Sequence, residues 1–362
     1  MRQKAIPVVI ALSVLALLTA FQNCGKFSPE NGSSQSAAQS SSNGTANGGS
    51  TPQSPGPSPM PAPAPYILQN TWTAFPGLTG APSAREDASA VWTGSKMIVF
   101  GGFATGTYFK DGSSYDSVTN KWTPIAAFPD IGRSDHIAVW AGSEMLIVGG
   151  SSLSTALPLS YSYDPVTDKW MALNDATPQL GRGPTGAWTG TQVLSWGTTN
   201  GTVAIAEAYD PATNKWSALP AGPLAPAFYA ASVWTGSKFI VWGGLTSAAV
   251  TNQGAAYDPA TGTWAKISAV GTPAARMFPA AVWTGTKMIV WGGRTGNLTT
   301  DPGTFYANGG IYDPATDTWT TMTSVNAPTA RAPGHAAVWT GNAMIVWGGY
   351  SGGLVNNGGI YN

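Results

Sequence analysis

Five arginines stand shortly before a tryptophan, at matching points of a sequence that repeats itself about every 50 residues. Guanidinium groups gathered in one place attract carboxylates or phosphates, to which they donate paired hydrogen bonds. Alternatively, each arginine could bond backbone carbonyls of a neighbouring loop. The pattern therefore predicts either a ring of anion-binding cations or a repeated structural contact. The five are Arg85, Arg133, Arg182, Arg276 and Arg331.

Carboxyl groups and a histidine follow the first two arginines. A titratable group beside bound anions could act as a general acid or base. His136 and a second histidine, His335, each stand four residues before a tryptophan. Two histidines without a third clustered ligand are a weak metal site, so each histidine is expected to be a hydrogen-bonded residue of a strand. We therefore expect neither a metal nor another cofactor. The acid–base candidates are Glu86, Asp87, Asp135 and His136.

Two predicted loops carry aromatic and charged residues. The longest spans residues 294–306 and includes Arg294 and Tyr306, and an earlier loop includes Tyr108. Exposed aromatic rings beside a few polar groups suit sugar or peptide recognition. The alternative is that the rings pack each loop onto itself. We take Tyr108, Arg294 and Tyr306 as binding candidates.

A repeated unit must position these residues. Each unit reads Val-Trp-Thr-Gly, an apolar run ending in Gly-Gly, and Tyr-Asp-Pro-x-Thr-x-x-Trp, with local departures. Such a unit predicts four short antiparallel strands joined by tight turns. Its first tryptophan occurs six times, which predicts six blades. These residues are Trp92, Trp140, Trp188, Trp234, Trp283 and Trp339.

The sixth unit stops at Tyr361-Asn362, before its final tryptophan. The missing final tryptophan corresponds to Trp72, which lies one repeat length before Trp122, the final tryptophan of the first unit. We therefore predict that the N-terminal strand completes the last blade and removes the open sheet edge. The predicted fold is an all-β, six-bladed propeller over residues 66–362.

The double glycine followed by Tyr and Trp resembles the kelch repeat family, which implies a kelch-type propeller. The loops between the second and third strands and between blades share one face and vary in length. Binding usually involves variable loops on a rigid scaffold. We therefore predict a binding or scaffold module that recognises a protein, peptide or glycan on this face. The resemblance also implies arginines that bond loop carbonyls.

Enzymatic propellers provide the competing interpretation. Galactose oxidase-like enzymes need a Cys–Tyr crosslink, and the single cysteine, Cys24, lies outside the repeats. The chain is more similar to a sialic-acid mutarotase, a secreted six-bladed kelch domain that acts on an anionic sugar. That resemblance implies a general acid or base near the arginines. A purely structural envelope protein is a third alternative.

The first 23 residues have a basic start and an apolar run from Ala5 to Ala20, which indicates a signal peptide. The following Cys24 resembles the lipidated cysteine of bacterial lipoproteins, and Gly25 after it implies the outer membrane. An ordinary cleaved signal with a free Cys24 is the alternative. Residues 24–65 are rich in Ser and Pro, and this composition predicts a disordered tether that begins at the lipidated Cys24.

Composition limits the partners. Charged residues make up 9% of the chain, and 17 basic residues balance 17 acidic ones. A neutral balance lacks the basic surface that nucleic-acid binding requires. One cysteine allows no intrachain disulfide. We expect a monomer that contacts the membrane through its lipid anchor.

Overall fold

Six four-stranded antiparallel sheets make up the protein in a computed structural model. The structure describes residues 68–77, 79–152, 155–157, 159–173, 181–299, 301 and 303–362. Within these ranges all regular elements are strands, and no helix of a length and apolarity suited to crossing a bilayer is found. The prediction of six blades with four strands each is confirmed.

In each of the first three blades, the strands follow the chain from the innermost to the outermost position. Blade 1 comprises Ser89–Trp92, Lys96–Phe100, Gly112–Asp116 and Lys121–Pro124. Blade 2 comprises Ile137–Trp140, Met145–Val148, Tyr161–Asp164 and Lys169–Ala172. Blade 3 comprises Thr185–Trp188, Val193–Thr198, Ala204–Asp210 and Lys215–Ala218.

The remaining blades keep this order, except that the N-terminal strand forms the outermost strand of blade 6. Blade 4 comprises Ala231–Trp234, Phe239–Trp242, Gly254–Asp258 and Thr263–Lys266. Blade 5 comprises Ala280–Trp283, Met288–Trp291, Gly309–Asp313 and Thr318–Thr321. Blade 6 comprises Ala336–Trp339, Met344–Trp347, Gly358–Tyr361 and Trp72–Ala74. Two small hairpins pair Phe103–Ala104 with Thr107–Tyr108 and Ser151–Ser152 with Thr155–Ala156.

The innermost strands form a closed ring around a central channel. Each contacts the innermost strands of both neighbouring blades, including blade 6 against blade 1. The ends of the propeller close as predicted, because Trp72 pairs with Tyr361 in the last sheet. Asn70 strengthens this closure, since its Oδ1 accepts hydrogen bonds from the Thr323 amide and the Tyr361 hydroxyl, both at 2.7 Å.

Large aromatic side chains join successive blades. A buried tryptophan at the end of one blade's second strand packs against the outermost-strand tryptophan of the next blade. Burying one such side chain contributes at most about 4–6 kcal/mol. The tryptophan pairs and their ring-centroid distances are Trp347–Trp122 at 5.6 Å, Trp242–Trp319 at 5.5 Å and Trp291–Trp72 at 5.3 Å.

The double glycine brings the next loop close to the channel. In blade 5, Gly292 and Gly293 have φ angles of 71° and 91°, a region that L side chains rarely adopt. A Cβ atom on Gly293 would also lie 2.7 Å from the Met277 carbonyl oxygen. This close approach lets Arg294 pair with Met277, just before the innermost strand. Arg294 is thereby held at the channel end.

Candidate functional site

A ring of left-handed residues surrounds the channel where the innermost strands begin. One residue from each blade, five positions before its first tryptophan, has a φ between 54° and 61°. The Tyr229 amide bonds the Gly183 carbonyl at 3.0 Å, and the Phe278 amide bonds the Tyr229 carbonyl at 2.9 Å. We call these six residues the channel ring: Asp87, Asp135, Gly183, Tyr229, Phe278 and Gly334.

The two glycines provide space for their neighbours. A Cβ atom on Gly183 would overlap the Tyr229 ring, and one on Gly334 would overlap Asp87. The remaining side chains divide the ring into two parts. Blades 1 and 2 contribute carboxyl groups, whereas blades 4 and 5 contribute Tyr229 and Phe278, whose rings stack with centroids 4.0 Å apart. The channel end therefore has an acidic side and an aromatic side.

Two arginines lie between these sides. The Nε atom of Arg182 donates to Asp135 Oδ2 at 3.2 Å, and its guanidinium carbon lies 5.8 Å from the Tyr229 ring centroid. Arg294, from the long loop of blade 5, places its guanidinium carbon 6.0 Å from the Phe278 ring centroid. Each guanidinium group thus lies beside an aromatic ring, and that of Arg182 also bonds the acidic side.

Burial changes the acidity of this cluster. It raises the pKa of Glu86 to about 7, and the nearby Asp135 adds to this effect, while Arg182 and Arg294 oppose it. Burial also raises the pKa of Asp87 well above its ordinary value, with further contributions from Asp135 and Glu86. At neutral pH, Glu86 can therefore both accept and donate a proton.

The Tyr229 hydroxyl is the main unsatisfied group of this cluster. Tyr229 is 6% exposed, and its Oη atom has no hydrogen-bond partner in the described part of the chain. Five repeat tyrosines differ, because each hydroxyl bonds an Asn or Asp side chain at 2.6–2.8 Å. These are Tyr115, Tyr163, Tyr209, Tyr312 and Tyr361. A buried polar group without a partner costs stability, so the Tyr229 hydroxyl requires an explanation.

Comparison with known families agrees with this architecture. A model of the Attractin/LZTR1 beta-propeller matches residues 129–357. The chain belongs to this family. A Kelch motif model matches residues 84–129, which confirms the resemblance seen in the repeats. No curated protein matches the chain.

Four of the five repeat arginines are at most 1% exposed. In each, Nη1 donates to the carbonyl of the first glycine of the Gly-Gly pair in the same blade. This geometry corresponds to the structural alternative. The four contacts are Arg85–Gly101 at 3.1 Å, Arg133–Gly149 at 2.9 Å, Arg276–Gly292 at 2.9 Å and Arg331–Gly348 at 3.1 Å.

Arg182 differs from these four. It stands six residues before the first tryptophan of its unit, whereas Arg85, Arg133 and Arg276 stand seven before theirs. Its side chain is 36% exposed and reaches the channel ring instead of a Gly-Gly carbonyl. Arg331 stands eight residues before its tryptophan and is nevertheless buried, so the spacing alone does not distinguish Arg182 from the buried set.

The predicted loop aromatics pack within the propeller. The Tyr306 ring centroid lies 4.1 Å from the guanidinium carbon of the buried Arg276. Tyr108 packs against Phe103 in the hairpin of blade 1, with ring centroids 4.9 Å apart. Both rings are partly accessible, but these contacts correspond to the packing alternative. Of the predicted loop residues, Arg294 is the one that lies at the channel ring.

The two histidines are buried between blades. His136 Nε2 lies 2.7 Å from Ser89 Oγ in blade 1, and His335 Nε2 lies 3.2 Å from the Trp291 carbonyl oxygen in blade 5. Burial lowers the pKa of both to about 3. No three His, Cys, Asp or Glu side chains of the described residues come together as potential metal ligands. Cys24 lies outside the described residues.

Sequence reasoning named Glu86, Asp87 and Asp135 as acid–base candidates but missed Tyr229 and Phe278. The available signal was positional. When the units are aligned on their first tryptophan, both aromatics occupy the position that holds Asp87 and Asp135 in the first two units. An inward-facing ring of such positions could have been inferred from that alignment.

Proposed function

We propose that this chain is a binding module of the bacterial cell envelope, which holds a protein, peptide or glycan at the loop face of the propeller. Kelch-type propellers are commonly protein-interaction scaffolds. The single observation that carries the proposal is the buried, unpartnered Tyr229 hydroxyl beside the accessible Arg182. A rigid ring that leaves such groups unsatisfied is suited to receiving a ligand.

The envelope location rests on the N-terminal sequence. We expect cleavage before Cys24, lipidation of its thiol and attachment to the outer membrane, with residues 25–65 as the tether. The test is metabolic labelling with an alkyne-bearing fatty acid in a bacterial host. Labelled wild-type chain and unlabelled Cys24→Ser chain support the anchor. Equal labelling of both would contradict it.

The binding role is tested with the full chain immobilised on a support. The immobilised chain is exposed to a glycan array and, separately, to an extract of the host's envelope proteins. We expect saturable retention of a glycan or protein, and loss of that retention in the Arg182→Ala variant. If neither source supplies a saturable ligand, the purely structural alternative replaces this proposal.

A second candidate is an enzyme that interconverts the anomers of an acidic sugar. Glu86 favours it, because its pKa of about 7 suits proton transfer, and Arg182 and Arg294 lie close enough to influence that pKa. NMR of N-acetylneuraminate anomers with the purified chain tests this candidate. Accelerated interconversion that is lost in Glu86→Gln supports catalysis. An unchanged rate excludes this reaction.

A further inference from the structure

Several polar atoms at the channel ring have no hydrogen-bond partner within the described residues. The Glu86 and Asp87 carboxyl groups accept no hydrogen bond there, and the two terminal nitrogens of Arg182 donate none. The Tyr229 hydroxyl adds a group that can both donate and accept. A ligand must therefore supply donors and acceptors at closely spaced positions.

The charges around the ring disfavour a ligand with a strong net charge. An anion would meet Arg182 and Arg294 but would lie beside the Asp135 carboxylate, which Arg182 already engages. A cation would approach Glu86 and Asp87 but would face the two guanidinium groups. A ligand of either charge therefore meets groups of its own sign in this ring, which weakens its binding.

The aromatic side provides an apolar surface next to these polar groups. Phe278 is partly exposed and stacks on Tyr229, so one part of the ring can contact carbon-bound hydrogens of a ligand. Hydroxyl groups both donate and accept hydrogen bonds, and a pyranose ring combines several of them with an apolar face. These requirements together describe an uncharged sugar.

We propose that the channel ring binds an uncharged sugar residue through Glu86, Asp87, Arg182 and Tyr229. This inference rests on the proposed binding function and specifies its ligand class. The Tyr229 hydroxyl hydrogen-bonds the sugar, and Phe278 contacts its apolar face. Arg182 contributes donors while Asp135 holds its guanidinium in place.

The test compares neutral, sialylated and amino-sugar glycans on an array probed with the full chain. Affinity for the best neutral ligand is then measured as its methyl glycoside by titration calorimetry. Tyr229→Phe removes the hydroxyl and keeps the ring, so we expect binding to weaken by roughly five- to tenfold, as for one lost hydrogen bond. Its melting temperature should not fall, because the hydroxyl has no partner to lose.

Tyr312→Phe is the matched control, since its hydroxyl bonds Asp317 at 2.7 Å far from the channel ring. We expect it to lower the melting temperature and leave sugar affinity unchanged. Absence of neutral glycans from the bound set, or equal affinity of the wild type and Tyr229→Phe, overturns the sugar assignment. Retention of an envelope protein in that case would still support the binding module.

Discussion

Replacing Arg276 with alanine should destabilise the propeller by about 3–5 kcal/mol. The side chain is 1% exposed and donates to the carbonyls of Ala274, Gly292 and Asn308 at 2.8–3.0 Å. Alanine leaves these acceptors without their donors, at about 1–3 kcal/mol for each one that stays buried. Water reaching the outermost carbonyl keeps the total below the simple sum.

Arg182→Ala is the matched control within the same set of arginines. Its side chain is 36% exposed and makes a single ion pair, with Asp135. The partner Asp135 is 4% exposed, so its buried carboxyl group loses this contact, whereas the arginine end of the pair is accessible. The expected loss is about 1–2 kcal/mol, less than for Arg276→Ala. Urea unfolding followed by tryptophan fluorescence measures both variants against the wild type. A loss under about 1 kcal/mol for Arg276→Ala would refute the assignment of the buried arginines as structural.

Three further predictions address the cluster, the loop contact and the closure. Glu86→Gln should raise the free energy of unfolding by about 1–3 kcal/mol at pH 8 and change it little near pH 4. The reason is that burial raises the pKa of Glu86 from 4.5 to about 7, so the wild type loses stability as the pH rises through that range. Equal effects of the substitution at both pH values would contradict this. Gly293→Ala should destabilise by about 2 kcal/mol or more in urea unfolding, since its methyl group would lie 2.7 Å from the Met277 carbonyl oxygen, and an unchanged midpoint would refute it. Asn70→Ala removes the acceptor of the Thr323 amide and the Tyr361 hydroxyl and should lower the free energy of unfolding by about 1–3 kcal/mol. An unchanged free energy of unfolding would show that closure of the ring does not depend on Asn70.

The fold was predictable because its signals are repeated in register. Six first tryptophans define the blades, and the match between Trp72 and Trp122 shows which strand must close the ring. The first tryptophans are partly buried against the core, and Trp72 and Trp122 are buried, so side chains that pack the blades also carry the sequence pattern. One unit in isolation would have been ambiguous.

The site was only partly predictable, because residue spacing does not show which group each side chain reaches. The spacing identified five arginines, but not that four bond Gly-Gly carbonyls while Arg182 reaches the channel. Tyr229 and Phe278 gave no local signal, since neither residue type favours a left-handed conformation. In that conformation their backbone amides bond carbonyls of the preceding blade, and these partners lie far away in the sequence.

The most direct test of the account is to measure which face of the propeller holds the ligand. The dissociation constant of the ligand retained by the immobilised full chain is measured for the wild type, Arg182→Ala and Val166→Asp. Val166 is 90% exposed on a short turn of the opposite face. We predict at least about tenfold weaker binding for Arg182→Ala and no change for Val166→Asp, with both folded. Weaker binding by Val166→Asp together with unchanged binding by Arg182→Ala would contradict the account.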